Sequence, residues 1–154
     1  MTYSLSIDAA DGSIIIGGVA GPVQAGAPRE AVTELLAALA TGHRDHRNGF
    51  EWFNYGPVEF EGQICHVSLC FHEGRLQQAA WSVTLPGAPM EGDWPTRAAI
   101  DAEVAFVRRA LKKQLGKSLR SGEVAFAWGS VWSSFDPKGF IAANGLRYAP
   151  HKVR

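Results

Sequence analysis

The stretch from Gln63 to Leu85 alternates apolar and polar residues in two runs, and no other pattern constrains the fold as strongly. Its apolar positions are Cys65, Val67, Leu69 and Phe71, followed by Ala79, Trp81, Val83 and Leu85. Because side chains of a strand alternate between its two faces, each run predicts a strand with one buried face. Residues 72–74 favour a three-residue turn with Gly74 in the left-handed conformation. The resulting hairpin would pair Val67 with Ala79.

Two other stretches have the apolar spacing of an amphipathic helix. The first begins at Pro28, a favoured first-turn residue, and ends at Gly42. The second runs from Thr96, which suits the N-cap position, to Leu115, with Gly116 as its C-terminal cap. The stripes are Val32, Leu35, Leu36 and Leu39 in the first helix and Ile100, Val104, Val107, Leu111 and Leu115 in the second. We expect the hairpin and the two stripes to share one buried layer, formed by Val67, Leu69, Phe71, Trp81, Val83, Leu35, Leu36, Val104, Val107 and Leu111.

Shorter alternating segments supply the remaining strands. They lie at residues 2–8, 13–16, 50–55, 58–60, 124–128, 131–135 and 146–148. Residues 136–139 have the composition of a type I turn, residues 143–145 predict another turn, and the polar residues 43–48 predict a loop. Consecutive hairpins and segregated helices predict an α+β fold, with a largely antiparallel sheet of about six to eight strands packed against two main helices. We expect residues 1–154 to form a single domain.

Charge, cysteine usage and hydropathy exclude several classes of protein. Residues 1–100 hold five basic and eleven acidic side chains and residues 101–154 hold ten and four, so the net charge is zero and nucleic-acid binding is not favoured. No apolar run reaches the roughly 18 residues of a membrane span, and the N-terminus lacks a signal peptide. Cys65 and Cys70 would lie about 17 Å apart on opposite faces of one strand, so we expect free thiols. These features predict a cytoplasmic protein without a membrane partner.

The polar face of the central hairpin is the one set of residues in the sequence that could form a metal site or an active site. Its first strand places His66, Ser68, Cys70 and His72 on one side, and imidazole and thiol groups are typical zinc ligands. One extended strand spreads His66 and His72 over roughly 20 Å, so they cannot converge on one ion without ligands from elsewhere. The sequence also lacks the G-x-S-x-G and H-E-x-x-H motifs. We therefore predict no metal, no cofactor and no catalytic residue.

The segment from Pro86 to Pro95 is rich in proline and glycine and carries one large aromatic residue, Trp94. Two interpretations remain open: Trp94 packs on the second helix, or it belongs to a contact surface, where tryptophan is over-represented. The candidate partner-binding residues are Met90, Glu91, Asp93, Trp94 and Trp132. Joint exposure of Trp94 and Trp132 would favour a protein interface, whereas tryptophans lining a polar cavity would favour a small-molecule site.

Two short sequences resemble those of known proteins. FHEGRL at residues 71–76 and FAWGSVWSSFDPKGF at residues 126–140 look like segments of small single-domain α+β proteins of bacteria. Many proteins of this class accompany secreted toxins and act as immunity proteins. The resemblance implies a protein-binding role with a toxin as the partner. It supplies no functional residue, because such proteins bind through divergent surfaces.

The first hypothesis is a non-catalytic cytoplasmic binding protein that neutralises a bacterial toxin by direct contact. The alternative is a small-ligand-binding protein or an enzyme with a pocket between the sheet and the helices. A third hypothesis, a structural subunit, would require a symmetric interface, and the sequence leaves the oligomeric state open.

Overall fold

The computed structural model describes residues 2–150, and within them the chain forms eleven strands, two α-helices and one 3-10 turn. In chain order the elements are β1 (Ser4–Ile7), β2 (Ile14–Gly17), α1 (Arg29–Leu35), the 3-10 turn (Ala37–Leu39), β3 (Ala40–Asp45), β4 (Phe50–Phe60), β5 (Gln63–His72), β6 (Arg75–Thr84), β7 (Met90–Glu91), β8 (Trp94–Pro95), α2 (Arg97–Leu115), β9 (Glu123–Phe126), β10 (Gly129–Asp136) and β11 (Ile141–Tyr148).

Nine strands form the main sheet, in the order β2-β1-β4-β5-β6-β11-β10-β9, with β3 paired to the first half of β4. Neighbouring strands are antiparallel except for β1 and β4, which meet in parallel at Ser4 and Glu59. Strands β7 and β8 form a separate small hairpin, which lies between β6 and α2 in the order of the chain. The predicted α+β class, a mostly antiparallel sheet with two helices, is confirmed.

The sheet curls until the turns at its two ends touch. Trp128, in the β9–β10 turn, donates its indole N–H to the carbonyl of Ala9, in the β1–β2 turn, at 2.9 Å. The hydroxyl of Tyr148 donates to the carbonyl of Gly12 at 2.6 Å. Helix α2 packs against strands from both halves of the sheet, which are β1 on one side and β10 and β11 on the other. The curled sheet therefore wraps around this helix.

The central hairpin forms as predicted, but its register differs from the predicted one by two residues. β5 and β6 are joined by a two-residue turn of Glu73 and Gly74, both at positive φ, and β6 carries a bulge soon after it. The shorter turn and the bulge each shift the pairing by one residue, so Val67 lies opposite Trp81 instead of Ala79. Two shifts of one residue restore the alternation, and the apolar faces still coincide.

The predicted buried layer between hairpin and helices is present. Trp81 is only 3% exposed. The other buried members are Val67, Leu69, Phe71, Val83, Leu36, Val104, Val107 and Leu111, while Leu35 is half-buried. Helix α2 also has its predicted ends: the Thr96 hydroxyl accepts the N–H of Ala99 at 3.2 Å, and Gly116 is left-handed with φ of 73°.

The first helix is shorter than predicted, because the polar residues that follow it belong to a strand. α1 ends at Leu35 and the 3-10 turn at Leu39, instead of one helix ending at Gly42. Residues 40–45, of which 43–45 were predicted as loop, form β3 with every residue exposed. Since β3 pairs with β4 alone and buries neither face, it has no apolar alternation that would mark it as a strand.

The predicted turn at residues 143–145 is wrong, because Asn144 and Gly145 lie in the middle of β11. The buried Asn144 amide accepts a hydrogen bond from the Ser133 hydroxyl at 2.7 Å and donates one to the Trp81 carbonyl at 3.1 Å. Gly145 lies under the ring of Trp132, its partner on β10. Asparagine and glycine are both common in turns. Here Asn144 takes part in a buried hydrogen-bond network, and Gly145 leaves space for the indole ring of Trp132.

Replacing Gly145 by alanine should destabilise the protein by about 1–3 kcal/mol, as overpacking does. The added Cβ would lie 2.7 Å from the Ala79 carbonyl oxygen and 2.8 Å from Cζ2 of Trp132. Urea unfolding would measure the change. Gly21→Ala is the matched control, since a Cβ there meets nothing within 4 Å. Equal stability of the two variants would contradict this account of Gly145.

Candidate partner-binding surface

The small hairpin of β7 and β8 holds four of the five sequence-predicted contact residues together, with Asp93 in its turn. Met90 is 55% exposed and Trp94 is 67% exposed, and Glu91 and Asp93 are exposed beside them. The interpretation in which Trp94 packs on the second helix is therefore wrong. Glu91 pairs directly with Trp94 across the hairpin, so an acid and an aromatic ring lie side by side.

Thr96 fixes the base of this hairpin to the start of α2. Its backbone N–H and its hydroxyl both donate to the carbonyl of Pro89, at 3.2 and 3.0 Å. The same hydroxyl oxygen accepts the N–H of Ala99 and caps the helix. Because one side chain serves the hairpin and the helix, the orientation of the hairpin follows that of α2.

The hairpin leaves the sheet at a point where β6 and β11 separate. Their pairing ends at Trp81 and Asn144, although both strands continue beyond it. The N–H of Val83 then donates to a carboxylate oxygen of Glu103, on α2, at 3.1 Å. The Asn144 amide donates to the same oxygen at 2.8 Å. Glu103 thus supplies the acceptor that a neighbouring strand would have provided.

The Glu103 carboxyl has a pKa above its ordinary value. Burial is the main cause, because it disfavours the charged form, and the hydrogen bonds from Val83 and Asn144 oppose it. Since the folded state holds this proton more tightly than the unfolded chain, the contribution of Glu103 to stability falls as the pH rises from its unfolded pKa through its folded pKa.

A second exposed apolar group lies near the start of α2. The Arg97 guanidinium stacks 3.6 Å above the ring of Phe135, and Phe135 meets the ring of Phe140 edge-on at 5.4 Å. Phe140 is 41% exposed and Ile141 is 45% exposed. Since Arg97 follows Trp94 by three residues, this group and the hairpin both lie near the same helix end. The sequence analysis missed these residues; the apolar pair directly after the 136–139 turn was the available signal.

Trp132, the fifth predicted contact residue, lies neither on the β7–β8 hairpin nor in the apolar group around Phe140. It is half-buried on the outer face of the sheet, which is the face away from Val131 and α2, with its ring over Gly145. It also lies about 13 Å along β10 from Asp136, where the β10–β11 turn begins.

The tryptophans are distributed over the core and the surface. Trp81 is buried, Trp52 and Trp128 are half-buried, and Trp94 is exposed.

An open cleft of about 580 Å³, lined mainly by charged residues such as Arg29, Glu51 and Arg75, lies beside the start of α1. A smaller cleft of about 320 Å³ lies beside β2. Neither cleft is lined by a tryptophan, so the feature that would favour a small-molecule site is missing from both.

The polar face of β5 is poorly suited to chemistry. His66 is exposed whereas Cys70 is buried, and across residues 2–150 no three His, Cys, Asp or Glu side chains cluster as a metal site would require. Both cysteines are free thiols. Burial raises the pKa of Cys65 to about 12 and also raises the pKa of Cys70, so both thiols are protonated at neutral pH. No helix in the described part of the chain is long and apolar enough to cross a membrane.

Comparisons with known proteins add a likeness of fold. No protein-family model matches the chain, and no curated protein matches it in sequence. Among solved structures, it is similar to a chain of the complex of Rhs1-CT with its cognate immunity protein RhsI1, with 14% identity and a TM-score of 0.52. The match covers 96% of this chain and 87% of that chain. The chain therefore has a fold found in a complex that contains an immunity protein, which is consistent with the immunity-like class of proteins that residues 71–76 and 126–140 resemble.

Removing the Glu103 side chain should cost far more stability than neutralising it. Glu103→Ala leaves the Val83 N–H and the Asn144 amide without their acceptor, at about 1–3 kcal/mol for each buried donor. Glu103→Gln retains an acceptor oxygen and removes the charge. It should also abolish the fall in stability with rising pH that the raised pKa of Glu103 causes.

Urea unfolding of both variants and the wild type between about pH 4 and 8 would test this, because the difference between proteins isolates Glu103 from other titrating groups. A Gln variant that tracks the wild type at every pH, or an Ala variant as stable as the Gln variant, would refute the role given to this carboxylate.

Proposed function

We propose that this chain is a non-catalytic cytoplasmic binding protein that neutralises a toxin by direct contact. The observation that carries the proposal is the exposed Trp94 on a hairpin held rigidly by Thr96, in a chain whose fold recurs in the Rhs1-CT–RhsI1 complex. An aromatic side chain that is two-thirds exposed leaves apolar surface in contact with water. Burying that surface against a partner stabilises the complex. The buried free thiols of Cys65 and Cys70 fit a reducing compartment.

The proposed contact surface has an aromatic centre and an acidic border. Trp94 would enter a pocket on the partner, and Met90 would adapt to the apolar surface around it. Glu91 and Asp93 favour a partner with a basic surface, such as a toxin active site that acts on nucleic acid or a nucleotide. We include Trp132 as a peripheral contact, which a partner would reach by extending from the hairpin onto the outer face of the sheet.

The proposal predicts that a toxin domain is encoded beside the gene for this chain, and the test uses that domain. Co-expression should protect cells from that toxin domain, and the two purified proteins should form a complex whose association slows as salt is added. Rhs1-CT serves as the non-cognate control. Failure of the chain both to bind the neighbouring toxin domain and to protect cells would overturn the proposal.

Trp94→Ala should weaken the complex by about 2 kcal/mol or more, which is roughly 30-fold in Kd, and leave the melting temperature nearly unchanged. Isothermal titration calorimetry and thermal unfolding would measure the two quantities on the same samples. Ile15→Ala is the control for loss of an exposed apolar side chain elsewhere, since Ile15 is 38% exposed on β2. The proposal predicts a smaller loss for Trp132→Ala. If Trp94→Ala instead lowers the melting temperature and leaves the affinity unchanged, Trp94 stabilises the fold and is not a contact residue.

A further inference from the structure

Phe140 has a backbone conformation that an aromatic residue rarely adopts. Its φ is 51°, in the left-handed region, although Gly139 directly before it would adopt that conformation without strain. A bulky side chain at this φ is disfavoured because its Cβ crowds the neighbouring backbone. Strained residues of this kind persist where the surrounding structure holds them, and they concentrate at functional sites.

The ring of Phe140 contributes little to the core. It is 41% exposed, and its aromatic partner is the half-buried Phe135, edge-on at 5.4 Å. The Arg97 guanidinium stacks on the Phe135 ring, and Asp101 binds that guanidinium at 2.9 Å. Phe140 therefore packs on a ring that is itself held in place, but its exposed side chain adds little to the stability of the fold to offset the backbone strain.

We propose that Phe140 is a second anchor of the partner-binding surface, acting together with Trp94. The inference rests on the proposed function. Arg97 connects the two anchors, because it follows Trp94 by three residues and stacks on Phe135, which packs against Phe140. Ile141, which is 45% exposed, extends the apolar surface beside Phe140.

The chemistry of the surface defines the partner that it fits. Two aromatic anchors near one helix end require two apolar depressions on the partner. Glu91 and Asp93 lie beside the first anchor, whereas the turn before the second anchor holds one acid and one base, Asp136 and Lys138. Arg97 is already paired with Asp101. The charge near the first anchor is thus acidic, and the complement is a toxin domain with two apolar depressions and with basic residues around the depression that takes Trp94.

Phe140→Gly separates this role from a role in folding, because glycine removes the ring and the strain together. The variant should melt at or above the wild-type temperature and yet bind the neighbouring toxin domain at least about tenfold more weakly, since anchors of an interface dominate its affinity. Arg47→Gly is the matched control: Arg47 is an exposed residue with φ of 59°, so glycine relieves similar strain there without removing an aromatic ring. It should not change the affinity.

Ile141→Ala provides a second readout that leaves the φ of Phe140 untouched, and it should also weaken binding. If the wild type binds the toxin domain and Phe140→Gly and Ile141→Ala bind equally well, this inference fails while the proposed function stands. If Phe140→Gly lowers the melting temperature substantially, Phe140 is a structural residue and the inference is overturned. If the wild type forms no complex, both proposals fail.

Discussion

The structure depends on one helix that completes the hydrogen bonding of an interrupted sheet. At three places a strand continues after its neighbour has separated from it, and a backbone group would be left unpaired inside the protein. Each group is bound by a polar side chain of α2. The contacts are Glu103 with the Val83 N–H at 3.1 Å, Arg108 with the Ser133 carbonyl at 2.8 Å, and Gln114 with the Ile7 N–H at 3.0 Å.

This arrangement explains how a curled sheet can enclose a helix and still present an exposed hairpin. The separation of β6 from β11 lets the chain leave the sheet, form β7 and β8, and return as α2. Glu103 stabilises the separated strands, and Thr96 fixes the hairpin to the helix. The exposed Trp94 therefore lies on a hairpin that hydrogen bonds join to α2. A side chain that is held in its binding orientation loses little conformational entropy when it binds.

The aromatic residues divide between the core and the surface. Trp81 fills the core, and Trp128 joins the two ends of the sheet through its hydrogen bond to Ala9. Trp94 and Phe140 are exposed, and we propose that they serve recognition. The likeness to a chain of the Rhs1-CT–RhsI1 complex concerns the fold, whereas the proposed surface lies on a short hairpin and a turn outside the main sheet's centre, and such connections vary most readily on a fixed scaffold.

The sequence by itself determined the central hairpin, the buried layer and both ends of α2, because alternation, helical stripes and caps depend on near neighbours. It also identified Trp94 as a candidate contact, although the choice between core and surface needed the structure. Tertiary contacts decided the register of the hairpin, the exposed strand β3 and the strand position of Asn144 and Gly145. Glu103 and Arg97 make their contacts only where distant segments meet, so no local pattern could have marked them, whereas the apolar pair after residues 136–139 was a local signal for Phe140.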